Sequence, residues 1–384
     1  MIPYRNAGRF LNKALAQPGY AARVFVKRSG ALLRHTLGAG RAAGPEAVTL
    51  FLTHRCNLRC VMCGQWGEGG VTRGEAPESV GQMLAFSELE KLVDGLAAFR
   101  PAITLFGGEP LLYPECARLV AKIKARRMHC LMVTNGSLLR ERGTALVEAG
   151  LDELNVSLDG DRELHDRIRG LPGVFDTIHE GIQLVRRARE ELGRALPRIN
   201  LQCTISKHNY EHLERMIAVA REAGADSLTF HNLIFLSREM VEEQQKVDGE
   251  LGCSSRAWEG FISEPAIDPA ILDGKLREIR ATHPGFPVDV YPNFSATERR
   301  RYYSDTHYVP VEYPARCLSP WLTAYVFPDG TVRPCLNSTF SFGNIKEGEF
   351  REIWNSPQAL RFRVLLKQRG IFPACARCTE LYRY

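Results

Sequence analysis

The chain has 384 residues, 45% of them apolar, enough to bury a large core and long enough for two or three domains. Its eleven cysteines are an odd number and the N-terminus lacks a signal peptide's short apolar core and cleavage site, which excludes a secreted disulfide framework and points to the cytoplasm. No apolar run approaches the ~18 residues of a membrane span, and a net charge of +6 calls for no nucleic-acid partner.

That charge is uneven. Residues 1–45 carry Arg5, Arg9, Lys13, Arg23, Lys27, Arg28, Arg34 and Arg41 and no acid, so this segment holds +8 and the remainder −2. Interleaved Phe10, Leu11, Leu15, Tyr20, Val24, Phe25, Leu32 and Leu33 make amphipathic helices that could meet an anionic surface. The commoner arrangement, expected here, packs the apolar face on the protein and leaves the basic face in water. The Pro18-Gly19 break and Gly38, Gly40 and Gly44 mark the ends of two short helices in an N-terminal extension, 1–46.

A β-prone apolar run, residues 47–54, leads into Cys56-Asn-Leu-Arg-Cys60-Val-Met-Cys63. Three thiolates on a loop leaving a strand can hold three irons of a [4Fe-4S] cube and leave the fourth open. Zinc with a distant fourth ligand is the competing use of such a group. The C-x-x-x-C-x-x-C spacing resembles that of the radical S-adenosylmethionine (radical SAM) enzymes, and the resemblance implies that the amino and carboxylate groups of SAM chelate the open iron.

Strand-like and helix-like segments then alternate. Strands are expected at 102–106, 129–134, 152–158, 199–205 and 226–234, with helices near 87–98, 115–127, 138–149, 174–193 and 209–223, the first opened by a Ser87-to-Glu90 capping box. Glu148-Ala-Gly150 and Glu222-Ala-Gly224 repeat one helix-to-strand junction. Repeated βα units call for an α/β fold with a parallel sheet over 47–235. The resemblance implies the partial (β/α)6 TIM-like barrel of the family.

Within that barrel, Gly107-Gly108-Glu109-Pro110 closes the second strand. The two glycines allow close backbone approach, and the Glu109 carboxylate can accept from an ammonium. In the family such a G-G-E-P edge receives the amino group of SAM. Ser157-Leu-Asp159-Gly160 and His165-Asp166-Arg-Ile-Arg169-Gly170 are similar to the family's S-L-D-G and H-D-x-x-R-G stretches, which implies that Ser157 and Arg169 hold the SAM carboxylate. Asn135, Gln202 and Thr204 point polar groups to the same end. Met62 stands where many members carry an aromatic, so the adenine would pack on a thioether.

Residues 236–315 read as a linker or cap, helical near 238–248 and 269–282, without a strong strand. From 316 onward Cys317, Cys335 after an Asp329-Gly330 hairpin, and Cys375-Ala-Arg-Cys378 can enclose a metal centre, and spacing alone leaves zinc open. The arrangement resembles the SPASM and twitch domains of radical SAM enzymes, which implies an α+β domain with one auxiliary [4Fe-4S] cluster. Cys116, Cys130, Cys203 and Cys253 stand singly and read as structural.

What the resemblance implies is reductive SAM cleavage, with a flavodoxin or ferredoxin as electron donor, and hydrogen-atom abstraction from a substrate. An auxiliary electron acceptor favours a two-electron oxidation. The expected substrate is a small hydroxylated metabolite such as a sugar or aminocyclitol, because the residues before the first strand do not read as a leader-binding winged helix; a ribosomally made peptide is the alternative, and a non-catalytic metal-binding protein the third reading. His231 and Asn232, ending the sixth strand, are the nominees for contact with substrate.

Overall fold

The computed structural model describes residues 18–384. Ten strands form one sheet: β1 (Ala47–Phe51), β2 (Ala102–Phe106), β3 (Cys130–Thr134), β4 (Glu153–Ser157), β5 (Arg198–Ile205), β6 (Ser227–Asn232), β7 (Val288–Tyr291), β8 (Thr323–Val326), β9 (Thr331–Arg333) and β10 (Gly343–Asn344). Their order is β10-β9-β8-β1-β2-β3-β4-β5-β6-β7. Every pair from β8 across to β7 is parallel, while β9 and β10 add antiparallel. The crossovers carry helices Phe86–Leu96, Cys116–Ala125, Leu139–Glu148, Val174–Glu191 and Arg215–Ala223, so the βα alternation stands as the sequence predicts.

Strand periodicity sets the two faces. Ile103 and Leu105, Leu154 and Val156, and Leu201 and Cys203 are buried against helices. The alternate residues Thr104, Asn155, Ser157, Gln202 and Thr204 are half-buried and line the concave lumen. Both repeated junctions turn on a left-handed glycine, Gly150 at φ +85° and Gly224 at φ +65°. Each is followed by an aspartate that caps the neighbouring strand: Asp152 accepts from Cys130 N–H and Asp226 from Ile199 N–H, both at 2.7 Å.

Several expectations need correcting. The first crossover helix starts at Phe86, and it is Glu88 that accepts the Ala85 N–H at 2.7 Å, so Ser87 and Glu90 form no capping box. The supposed linker supplies β7 and the helix Ala296–Ser304 besides the two helices expected. The strand was missed because it is four residues long and set among prolines. Nor does the C-terminal part stand off as a separate layer: β8 pairs with β1 from Ala47↔Thr323 to Leu50↔Val326. The sheet is therefore continuous across residues 235 and 315. Tyr291 of β7 donates to Thr379 O at 2.7 Å, and Thr323 of β8 bonds the Tyr384 hydroxyl at 2.6 Å. Residues 379–384 therefore bridge the edge strand β7 and β8, the far strand of the parallel run.

Within the described residues the N-terminal extension is a single 20-residue helix, Pro18–Leu37. Arg5, Arg9, Lys13, Phe10, Leu11 and Leu15 lie outside them. Two of its bases turn inward instead of facing water. Lys27 Nζ donates to Pro45 O at 2.9 Å and Phe99 O at 3.0 Å, and Arg28 forks onto Glu46 at 2.8 and 2.9 Å. No helix of the described residues is long and apolar enough to cross a membrane.

Candidate active site

The loop carrying Cys56, Cys60 and Cys63 leaves the carboxyl end of β1 and is braced from three sides. Gly108 N–H donates to Thr53 O and Glu109 N–H to Arg55 O, both at 2.8 Å. A Cβ on Gly108 would lie 2.2 Å from Arg55 O, and one on Gly107 2.6 Å from Thr53 O. The glycines thus let β2 press against the cysteine loop, so the close backbone approach they permit is made to this loop. From below, Val61 N–H donates to Ile168 O at 2.9 Å at the end of the helix Arg162–Arg169. Across the top, the turn Arg256–Phe261 reaches over, with Gly260 packed on Gly64 so tightly that a Cβ would meet Gly64 O at 1.9 Å. Arg59 stacks on the Trp66 ring at 4.2 Å, and Trp66 Nε1 donates to His54 O at 2.9 Å.

Each of the three sulfurs faces a nitrogen donor. Asn135 Nδ2 points at Cys56 Sγ (3.8 Å), Arg169 Nη1 at Cys60 Sγ (3.6 Å) and Trp66 N–H at Cys63 Sγ (3.4 Å). Donors aimed at sulfur stabilise the thiolate that a metal centre requires. Burial pushes the Cys56 thiol up to about 11, so a bound metal must drive its deprotonation. The donor set therefore fits an iron–sulfur cube. Among the described residues no three Cys, His, Asp or Glu side chains close on a point as a lone metal ion demands.

Glu109 departs from its expected role. Its carboxylate is 0% exposed and accepts from Leu111 N–H (3.0 Å), Thr134 Oγ1 (2.7 Å) and Asn135 N–H (2.8 Å). Three donors hold it inside the protein, where it ties β2 to β3 rather than presenting itself to an ammonium. Glu109→Gln, which puts an amide NH2 where a donor now points, is expected to cost about 1–3 kcal/mol in chemical denaturation. Asn135 is similarly committed, its Nδ2 also donating to Asn57 Oδ1 at 2.9 Å and its Oδ1 accepting from Ser137.

Arg169 is 8% exposed, and its Nη2 pairs with Asp159 Oδ2 at 2.6 Å. Burial opposes its charge, but Asp159 and the Cys60 sulfur outweigh burial and keep the guanidinium protonated. Its Nε is buried without a partner. Asp159, quoted in the sequence motif but given no role there, also accepts Thr204 N–H at 2.8 Å, and its own N–H donates to His165 Nδ1 at 3.1 Å. Nothing local in the sequence marks Asp159 as half of a buried ion pair.

Ser157, Gln202 and Thr204 face the lumen, with Ser157 opposite Gln202 and Thr204 opposite His231. Met62 is half-buried against the core. His231 faces the lumen too, its Nε2 buried without a partner; burial lowers its pKa to about 4, so it is neutral near pH 7. Asn232 does not join it. As the next residue along a strand it points to the opposite face, where its amide donates to Pro292 O at 3.0 Å and accepts from the Tyr303 hydroxyl at 3.0 Å.

Cys317, Cys335, Cys375 and Cys378 form the second group. Burial, then their mutual charges, raises the Cys317 and Cys335 thiols, each of which feels Cys375 and Cys378. Cys335 also feels Cys317, so the four thiols lie in one neighbourhood. Gly370 at φ +75° lets the chain turn where its Cβ would meet Ala315 O at 2.8 Å, beside Cys317. Because β9 runs antiparallel to β8, Cys335 returns toward the amino ends of the strands, and Cys317 precedes β8. The first cysteine loop leaves the carboxyl ends. The two groups thus lie at opposite ends of the sheet, separated by a strand length of about 13–17 Å.

Comparison with known proteins decides between clusters and other uses of these cysteines. Residues 50–193 match the radical SAM superfamily, and residues 317–379 match SPASM, an iron–sulfur cluster-binding domain. The chain belongs to the radical SAM superfamily. An Fe-coproporphyrin III synthase of Methanosarcina barkeri is 27% identical over 349 residues, 86% of this chain and 79% of that protein. A PqqA peptide cyclase of Ruegeria pomeroyi is 28% identical over 323 residues, 81% of this chain and 74% of that protein. The crystal structure of Streptococcus suis SuiB bound to precursor peptide SuiA shares the fold, with a TM-score of 0.59 at 13% identity over 86% of this chain and 70% of that one. This radical SAM protein is accordingly an enzyme that works with SAM, a [4Fe-4S] cluster and an auxiliary iron–sulfur cluster.

Proposed function

We propose that the enzyme oxidises a peptide seated in the barrel lumen by two electrons. In this reading Cys56, Cys60 and Cys63 hold the SAM-binding cluster, and Cys317, Cys335, Cys375 and Cys378 hold the auxiliary one. When bound, these groups supply a 5′-deoxyadenosyl radical at one end of the lumen and an electron acceptor at the other. The chain's own residues bind and orient. The Gly107–Gly108 backbone edge meets the amino group of SAM, since the Glu109 carboxylate is turned away. Ser157 and the Arg169 Nε receive its carboxylate, with Met62, Gln202 and Thr204 around the rest.

The observation that carries this reading is the placement of two cysteine groups at opposite ends of one sheet, with the lumen between them. For the substrate, the residues of the inward register on β4 to β7 are Ser157, Gln202, Thr204, Thr229, His231, Asp289 and Tyr291, with no lysine or arginine among them. Uncharged hydroxyl, amide and ring groups with one carboxylate suit amides and hydroxyls, whereas a porphyrin's carboxylates call for cations. Of the relatives, one is named for a porphyrin and one for a peptide, and the lining favours the second. None of the relatives named supports a sugar or aminocyclitol, so that narrower expectation rests on the hydroxyl-bonding lining alone.

His231, neutral and with a bare Nε2, is placed to take the proton that leaves after hydrogen abstraction. His231→Phe is expected to lower product formation by about 10²-fold or more while reductive SAM cleavage without product continues. The test is anaerobic incubation of reduced enzyme and SAM with candidate peptides and tetrapyrroles, following 5′-deoxyadenosine and a product two hydrogens lighter. Turnover of a tetrapyrrole and of no peptide would reverse the substrate assignment.

A further inference from the structure

The helix Pro18–Leu37 carries an apolar stripe that nothing in the described fold covers. Phe25 is 62% exposed, Val26 68%, Leu33 59% and Leu37 77%. At 100° per residue these four, with Ala22, Ser29, Leu32 and Thr36, fall in one arc of about 140°. The other side of the helix is fully engaged. Ala31 is buried, His35 packs edge-on against Trp321 at 4.9 Å, and Lys27 and Arg28 are anchored on the chain entering β1 and β2. The helix is therefore a fixed part of the body that presents its greasy side outward. Arg23 and Arg34, both exposed, lie along one flank of the arc, exposed Arg41 follows the helix, and residues 1–45 contain no acid.

We propose that this face seats the protein on an anionic phospholipid surface. A helix with large apolar residues on one side, arginines at the border and uncompensated positive charge lies in the headgroup layer, its apolar side chains entering the acyl boundary and its bases meeting phosphate. The charge selects the occupant: a neutral hydrophobic protein partner would need neither the arginines nor the absence of acid. The orientation is also fixed. Lys27 and Arg28 tie the helix to the amino ends of β1 and β2, so the lipid lies at that end of the barrel. The cysteine loop and the mouth at the carboxyl ends face solution, and substrate enters from water.

The test is co-sedimentation of the full chain with phosphatidylcholine vesicles, with and without phosphatidylglycerol. Binding is expected only with the anionic lipid and is expected to weaken as salt rises. A Phe25→Ser/Leu33→Ser/Leu37→Ser variant and an Arg23→Glu/Arg34→Glu variant should each lower partitioning by about tenfold or more, with thermal unfolding and SAM cleavage unchanged. Failure to bind, equal binding to neutral vesicles, or binding kept by both variants would overturn the proposal. A dimer that the triple serine variant dissolves, without vesicle binding, would assign the face to a second copy. A triple variant that melts early would assign it to packing within this chain. Either result also overturns it.

Discussion

Replacing Cys60 by alanine is expected to abolish 5′-deoxyadenosine formation and to lower iron from about eight to about four per chain after anaerobic reconstitution. The two groups of cysteines make this outcome separable. Cys60 is the buried member of its loop and takes the Arg169 donor, so its loss removes one of three ligands and leaves a guanidinium facing a gap. A cube held by two thiolates does not persist. The auxiliary group, at the other end of the sheet and built from separate segments, should keep its iron. Cys335→Ala should show the complementary pattern: about four irons lost from the C-terminal site and SAM cleavage retained, because the loop after β1 is untouched. Loss of all iron in either variant would mean that the two sites fold as one.

The second large effect is expected at the buried ion pair. Asp159→Ala strands the Arg169 guanidinium in the interior and should destabilise the protein by about 3–5 kcal/mol. It also frees Thr204 N–H and loosens the group that points at Cys60, so SAM affinity should fall together with stability. Arg169→Lys is no rescue, since a point ammonium cannot bridge Asp159 and the sulfur at once. The double variant Asp159→Leu/Arg169→Met separates the effects. Removing both charges is expected to return most of the stability while SAM binding stays weak. Equilibrium denaturation and isothermal titration with SAM read the two quantities independently. A double variant that recovers both would reduce the pair to a structural role.

A related linkage concerns His231. Its folded pKa is depressed by burial to about 4, so its contribution to stability is present above the unfolded value near 6.5 and is lost as pH falls from there toward 4. His231→Phe should flatten that part of the acid unfolding profile.

Much of the architecture was legible because βα alternation writes itself twice, in period-2 strands and in glycine-terminated helices. Gly150 and Gly224 marked real left-handed junctions. The short strand β7 and the pairing of β8 with β1 were not legible. Four residues of β pattern carry little information, and adjacency between residues 47 and 323 is a tertiary fact. At the site, the motifs identified the right loops but not the direction of each side chain. Glu109 and Asn135 read as ligand contacts, yet both are buried polar groups whose first demand is for partners inside the protein. Asn232 failed on strand parity, which the sequence already contained. The N-terminal helix inverted its expected faces because Glu46 and the carbonyls of Pro45 and Phe99 bind Lys27 and Arg28 more specifically than water does.

The chemistry turns on one cluster that leaves an iron open for SAM and another that leaves none. Low-temperature electron paramagnetic resonance of the reduced protein, recorded with and without SAM, tests this directly. Cys335→Ala should retain a cluster signal that shifts on adding SAM, and Cys60→Ala should retain one that does not. A SAM-dependent shift in Cys60→Ala, or no shift in Cys335→Ala, would contradict it.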